Sequence, residues 1–150
     1  MRSCTFIGHK NCENEIKQQL FLTIEKLIID KNVTVFYVGT QGNFDRLVYA
    51  SLCELEETYS IKIFVVLAYL KDQPFAYYDK NKTIFPDELT KVPLRLAIRR
   101  RNSFMIDNSD FVVCYLNNSF SNTFPNVIEA LKKKKQVINL GKVNLKNIAI

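Results

Sequence analysis

The residues of this 150-residue chain that could do chemistry sit in polar turns that follow apolar runs. In the turn at 117–123, Ser119, Ser121, Asn122 and Thr123 bring hydroxyl and amide groups together just ahead of Pro125. One of them suffices to cap a helix, which leaves the others for a ligand. Such a turn presents free backbone N–H groups and the positive end of a helix dipole, a setting that suits a phosphate. A second turn, GTQGNFD at 39–45, holds Gly39, Thr40, Gly42 and Asn43. Its glycines permit backbone angles closed to most residues and let N–H groups approach an anion, although it is neither a G-x-G-x-x-G fingerprint nor a P-loop. Asp45 falls in the first turn of the helix that follows, where the dipole stabilises a carboxylate by about 0.3–1 kcal/mol and a ligand hydroxyl is the other use for it.

Arg99, Arg100 and Arg101 are consecutive on a predicted helix. At about 100° per residue they cannot share one face, so one or two of them reach a crevice. A guanidinium there grips a phosphate bidentately, and Asn102 beside it could read a base edge or a ribose hydroxyl. Glu129 and Asp45 are the weak candidates for a general base, with a solvated helix carboxylate as the plainer role of Glu129. His9 is the single histidine, so a site with two His ligands is excluded. Cys4, Cys12, Cys53 and Cys114 include no C-x-x-C pair and read as small buried thiols of a reducing compartment, so neither a metal nor a cofactor is expected.

The elements that must position these residues follow from periodicity. Apolar runs at 4–7, 33–38, 61–67, 111–116 and 137–140 read as strands. Helical spacing is found at 13–31 (Ile16, Leu20, Ile24, Leu27), after the turn at 39–45 (Phe44, Val48, Leu52, Leu55), at 94–106 and from about Pro125. The alternation predicts an α/β domain over 1–150, Rossmann-like and doubly wound, with a mainly parallel five-stranded sheet of order 3-2-1-4-5 and helices on both faces. The first and fourth strands flank the switch point, so the Gly8–His9 loop and the turn at 117–123 face each other across one crevice. The segment 68–92 breaks the pattern. Its Tyr69, Phe75, Tyr77, Tyr78 and Phe85 could stack on a base, meet a second subunit or hold the loop to its own core.

A net charge of +6 favours anionic partners without separating a nucleotide from a nucleic acid. Lys132–Lys135 lies where cations complement a helix C-terminus. The N-terminal residues turn polar too early for a signal peptide, and no apolar run approaches the ~18 residues of a membrane span. A cytoplasmic protein without membrane contact is therefore expected.

Taken together, CTFIGHK, YVGTQGNFD, VVLAYL and RNSFMIDNSDFVVCYL, ending in QVINL, resemble the SLOG superfamily of Rossmann-like proteins, and within it the short bacterial YpsA-like branch. The resemblance implies a nucleotide or nucleotide-derived ligand at the switch point. It points to a sensor or sequestering protein for a cyclic-nucleotide or ADP-ribose-type signal in antiphage defence or counter-defence, with a homo-oligomer as its assembly and nucleic acid an unlikely partner. The alternative it implies is a phosphoribohydrolase-like N-glycosidase of nucleoside monophosphates or another nucleotide-processing hydrolase. Gly8 and His9 match the family's first-strand G-H, Gly42 and Asp45 its second turn, and Arg101 and Asn102 its R-N pair. Ser121, Asn122 and Thr123 stand where the family has G-G-T or G-G-A, and Asn126 where the hydrolases carry a catalytic Glu. That departure argues against the usual hydrolysis and for binding.

Overall fold

Runs that are apolar at every position become strands covered on both faces, and runs with apolar residues every three or four positions become the helices that cover them. The computed structural model describes residues 2–70 and 77–150. In chain order its elements are β1 (Arg2–Gly8), α1 (Lys17–Lys31), β2 (Val33–Val38), α2 (Asn43–Glu56), β3 (Lys62–Val66), β4 (Thr83–Ile84), α3 (Leu94–Asp107), β5 (Phe111–Tyr115), α4 (Thr123–Lys132) and β6 (Gln136–Asn139). The described strands form one parallel six-stranded sheet in the order β4-β3-β2-β1-β5-β6.

The expected order is thus present as β3-β2-β1-β5-β6, and the expected count of five strands is corrected to six. The extra strand is short: Thr83 and Ile84 pair with Val65 and Val66 at the sheet edge. Two residues carry no periodicity, and the strand exists because the open edge of β3 offers it N–H and C=O partners. Of the aromatic segment around it, Tyr78 is buried with its ring edge-on to Tyr49, whereas Tyr77 is exposed beneath the Arg46 guanidinium. Phe75 lies outside the described residues.

Alternate residues of the central strands serve opposite layers. Phe6, Phe111, Val113 and Tyr115 pack with Leu20, Ile24 and Leu27 of α1 and with Phe44, Val48 and Leu52 of α2. Ile7 and Val112 meet Ile106 of α3 and Ala130 of α4, while Cys114 and Leu116 meet Val127. After β1 the chain leaves through α1 toward β2, and after β5 it leaves through α4 toward β6. The C-terminal ends of these neighbouring strands are therefore left uncovered, which opens the crevice between them.

Asn139, at the end of β6, ties the neighbouring strand and the C-terminal segment together. Its Oδ1 accepts from the N–H groups of Leu116 (2.8 Å) and Gly141 (2.9 Å), and its Nδ2 donates to the carbonyls of Leu116 (3.0 Å) and Val143 (2.7 Å). One amide thus satisfies four backbone groups at the end of the sheet. Asn139→Ala should lower unfolding free energy by about 2–4 kcal/mol in urea titrations, the cost of orphaning several half-buried backbone groups, and a loss under about 0.5 kcal/mol would show that water replaces them.

Candidate functional site

Between the C-terminal ends of β1 and β5 lies a cleft of ≈ 870 Å³. The end of β1 contributes Gly8 and His9 with Lys10 beyond it, α3 contributes Arg95, Arg99, Arg101 and Asn102, and the turn into α4 contributes Asn117, Asn118 and the residues from Phe120 to Thr123 along with Asn126, but not Ser119. The two loops expected at the switch point do face one cavity.

His9 joins those loops. Its Nε2 accepts the backbone N–H of Asn117 at 2.9 Å, and its ring lies edge-on to Tyr115. Asn117 is held twice more, by donation of Nδ2 to the Tyr115 hydroxyl and by acceptance at Oδ1 of the Lys142 N–H, each at 2.9 Å. Burial lowers the imidazole pKa below its ordinary 6.5, in keeping with a nitrogen that accepts. His9 therefore positions the turn as a neutral ring. Gly8 has its place for packing reasons, since an added Cβ would stand 2.3 Å from the Phe44 ring.

Arg101, expected to grip a phosphate, borders the cleft and is buried with its own partners. It is only 1% exposed, with Nη1 donating to the Val66 carbonyl (3.0 Å) and Nε to Asn102 Oδ1 (2.9 Å). Gly39 sits against this group: a Cβ there would stand 2.9 Å from both Arg101 Cζ and Asp45 Oδ2. Asp45 is itself buried. Loss of water pushes its carboxyl up to about 6, against the pull of the Arg101 charge and of the Gln41 N–H that Oδ2 accepts at 2.8 Å. Arg101, Gly39 and Asp45 make one internal cluster, and both Arg101 and Asp45 border the cleft from within it.

The rest of the glycine turn is also occupied. Asn43 donates its N–H to the Lys10 carbonyl and its Nδ2 to Cys12 O and Asn14 Oδ1. Gly42 adopts φ 91° with its α-carbon so near Lys10 that a Cβ would come within 2.5 Å of Lys10 Cα. Gly39, Thr40, Gly42 and Asn43 do not line the cleft, whereas Asp45 and Gln41 reach it from beneath. Glu129 is likewise elsewhere, accepting from the Ser103 hydroxyl and from Lys133 Nζ, both at 2.9 Å, in the seam between α3 and α4. No exposed carboxylate lines the cleft.

Ser121, Asn122 and Thr123 do line it, and α4 begins there with no side-chain cap. Ser121 Oγ and Asn126 Oδ1 are buried without a hydrogen-bond partner. Lining residues not singled out from the sequence include Lys10, Arg95 and Phe120, the last 95% exposed. The four-residue step from Arg95 to Arg99, one helical turn, and an aromatic inside a polar turn were the available signals. Among the described residues, no group of three or more His, Cys, Asp or Glu side chains could hold a metal ion, and no helix is long and apolar enough to cross a membrane.

No protein-family profile and no characterised protein sequence matches the chain. Its fold is nevertheless similar to solved structures. One is DNA processing protein A (DprA) from Streptococcus pneumoniae, with a TM-score of 0.72 and 13% identity over 97% of this chain and 52% of that one. Another is DNA processing protein A from Helicobacter pylori, described for its unique single-stranded DNA binding mode, with a TM-score of 0.69 and 17% identity over 96% of this chain and 66% of that one. The chain thus spans about half to two thirds of these proteins. Both have the SLOG, Rossmann-like fold that the resemblance implied. They also overturn two expectations, the nucleotide-signal sensor with its hydrolase alternative and the dismissal of nucleic acid as a partner, because these two proteins of similar fold are DNA processing proteins and one is described for binding single-stranded DNA.

Two outcomes follow from the geometry. Arg101→Met removes the charge that faces buried Asp45 and the donor to Val66, and should cost about 3–5 kcal/mol in denaturant unfolding; a change under about 1 kcal/mol would mean that the cluster relaxes freely. His9, as the only histidine, gives an unambiguous NMR titration. A depressed folded pKa contributes stability that is present above 6.5 and is lost as pH falls through the lower folded value. The imidazole should therefore titrate below 6.5 with the Asn117 amide shift tracking it, and a midpoint at or above 6.5 would contradict the bond.

Proposed function

We propose that the cleft is a groove for single-stranded DNA and that the chain binds its ligand without cleaving it. The observation that carries this reading is charge. Lys10, Arg95 and Arg99 are the exposed ionisable side chains lining the cleft, and all three are cations, while Asp45 is buried within the field of Arg101. A strand of phosphates calls for such a basic track, and the uncapped N-terminus of α4 adds backbone N–H groups and a positive dipole end to it. Phe120 supplies an exposed ring on which a base can stack, a contact worth about 1–3 kcal/mol and tolerant of sequence. The single-stranded DNA binding described for the Helicobacter pylori protein of this fold supports the same ligand class. Cleavage has no support here because Glu129 is tied into the α3–α4 seam and Asp45 is enclosed.

Residues 1–150 read as one domain. R-N-x-x-M-I-x-x-S-D at 101–110 is the sequence basis for assigning it to the short YpsA-like branch. A homo-oligomer would present more than one such groove, and light scattering with and without an oligonucleotide measures it.

Fluorescence anisotropy with labelled oligo(dT) tests the main reading. Affinity should fall linearly with log salt, with a slope of about −0.7 per neutralised phosphate. The double variant Arg95→Ala/Arg99→Ala should flatten that slope by about 1.4 while leaving the thermal melt unchanged. Salt-independent binding, or an unchanged slope in the variant, would remove the cleft as the binding surface.

A further inference from the structure

The first turn of α2 separates the cleft from a second, smaller cavity. Gln41 and Asp45 face the cleft, whereas Asn43 and Arg46 line a space of ≈ 310 Å³ on the side of α2 away from its buried stripe of Phe44, Val48 and Leu52. Tyr49, Tyr77 and Tyr78 complete its wall. Lys10 marks the divide, because it lines the cleft while its carbonyl accepts the N–H of Asn43 at 2.9 Å. A strand that leaves the cleft over Lys10 therefore arrives at this cavity.

Part of the wall is fixed and part is open. Tyr78 is buried with its ring centroid 4.7 Å from that of Tyr49, whose hydroxyl accepts the Asp79 N–H at 2.9 Å. On the exposed side, Arg46 Cζ stands 4.0 Å from the centroid of the Tyr77 ring, and both residues reach solvent, Tyr77 with 57% of its surface. Among the described residues no carboxylate pairs with Arg46 and none lines the cavity, so the guanidinium N–H groups are open to an anion. A flat, accessible stack with a cation in it suits one nucleotide. Bases stack on aromatic rings and on guanidinium planes, and a phosphate takes the N–H donors.

We infer that the Arg46–Tyr77 stack is a second contact for the strand, outside the cleft, where a nucleotide beyond Lys10 adds its base to the stack and sets its phosphate against Arg46. The inference rests on the single-strand reading of the cleft. It makes affinity depend on length: a strand confined to the cleft does not reach the stack, and one that crosses Lys10 gains a contact made within a complex already formed.

Oligo(dT) of two lengths tests it, one of about four nucleotides, short enough to lie within the cleft, and one of about twelve. Tyr77→Ala should weaken binding of the longer oligomer about tenfold, the effect of one lost base stack, and leave the shorter one unchanged. Arg46→Ala should flatten the salt slope of the longer oligomer by about 0.7, one neutralised phosphate. Both side chains are exposed, so each variant should melt as the wild type does. Undiminished binding of the longer oligomer by Tyr77→Ala, an equal loss at both lengths, or an unchanged slope in Arg46→Ala overturns the second contact while the groove stands. Failure of the wild type to bind either length overturns the single-strand reading and the second contact with it. Where only the longer oligomer binds, its loss in Tyr77→Ala and its slope in Arg46→Ala still decide.

Discussion

The burial of one guanidinium organises this structure. Arg101 brings a full charge into the interior of a sheet protein, and that is tolerable only where each N–H finds an acceptor and a counter-charge is near. The acceptors come from the end of β3 through the Val66 carbonyl and from Asn102, the counter-charge comes from Asp45 at the start of α2, and Gly39 at the end of β2 leaves out the side chain that would separate them. Two strands and two helices are thereby locked at the same end of the sheet. The hydrophobic layers on either side set how far apart these elements lie, and this cluster sets how they meet at the rim of the cleft.

The geometry of a helix carries that constraint outward. Turning Arg101 inward turns Arg95 and Arg99, one helical turn apart from each other, toward the cleft, since Arg101 lies about 200° around the axis from Arg99. On the opposite wall, the neutral imidazole of His9 fixes Asn117 and with it the polar turn into α4. One wall therefore presents cations and the other presents amides, hydroxyls and a bare ring. Their separation depends on internal contacts, so a ligand meets a cleft that is already formed.

How much of this could be read from the residues depended on whether a property is local. The parallel sheet was legible because buried strands leave continuous apolar runs, and the crevice followed from strand order, with β1 and β5 as its walls. β4 was not legible, because a two-residue edge strand is specified by its neighbour. The roles of Arg101, Asn43 and Glu129 were hidden for a related reason: each is a plausible ligand-binding or catalytic residue by type, and each is committed to a partner at least 26 positions distant in the chain. Gly39 and Gly42 signalled a special backbone correctly, yet the close neighbours they admit are Arg101 and Lys10 where a phosphate had been expected. Phe120 was visible as an aromatic in a polar turn, but only its exposure distinguishes it from Phe124, which packs inward.

The turn into α4 shows why a shared fold leaves function open. Where the superfamily pattern has two glycines and, in its hydrolases, a carboxylate, this chain has Ser121, Asn122 and Asn126. Glycines admit a phosphate to the backbone, and a carboxylate can take a proton from water. Side chains at the first two positions narrow that approach, and an amide at the third keeps an acceptor of similar shape while giving up both the charge and the basicity. Ser121, Asn122 and Asn126 thus give the start of α4 amides and a hydroxyl but no carboxylate. The exposed cations of the cleft sit outside the turn, Arg95 and Arg99 on α3 and Lys10 beyond β1.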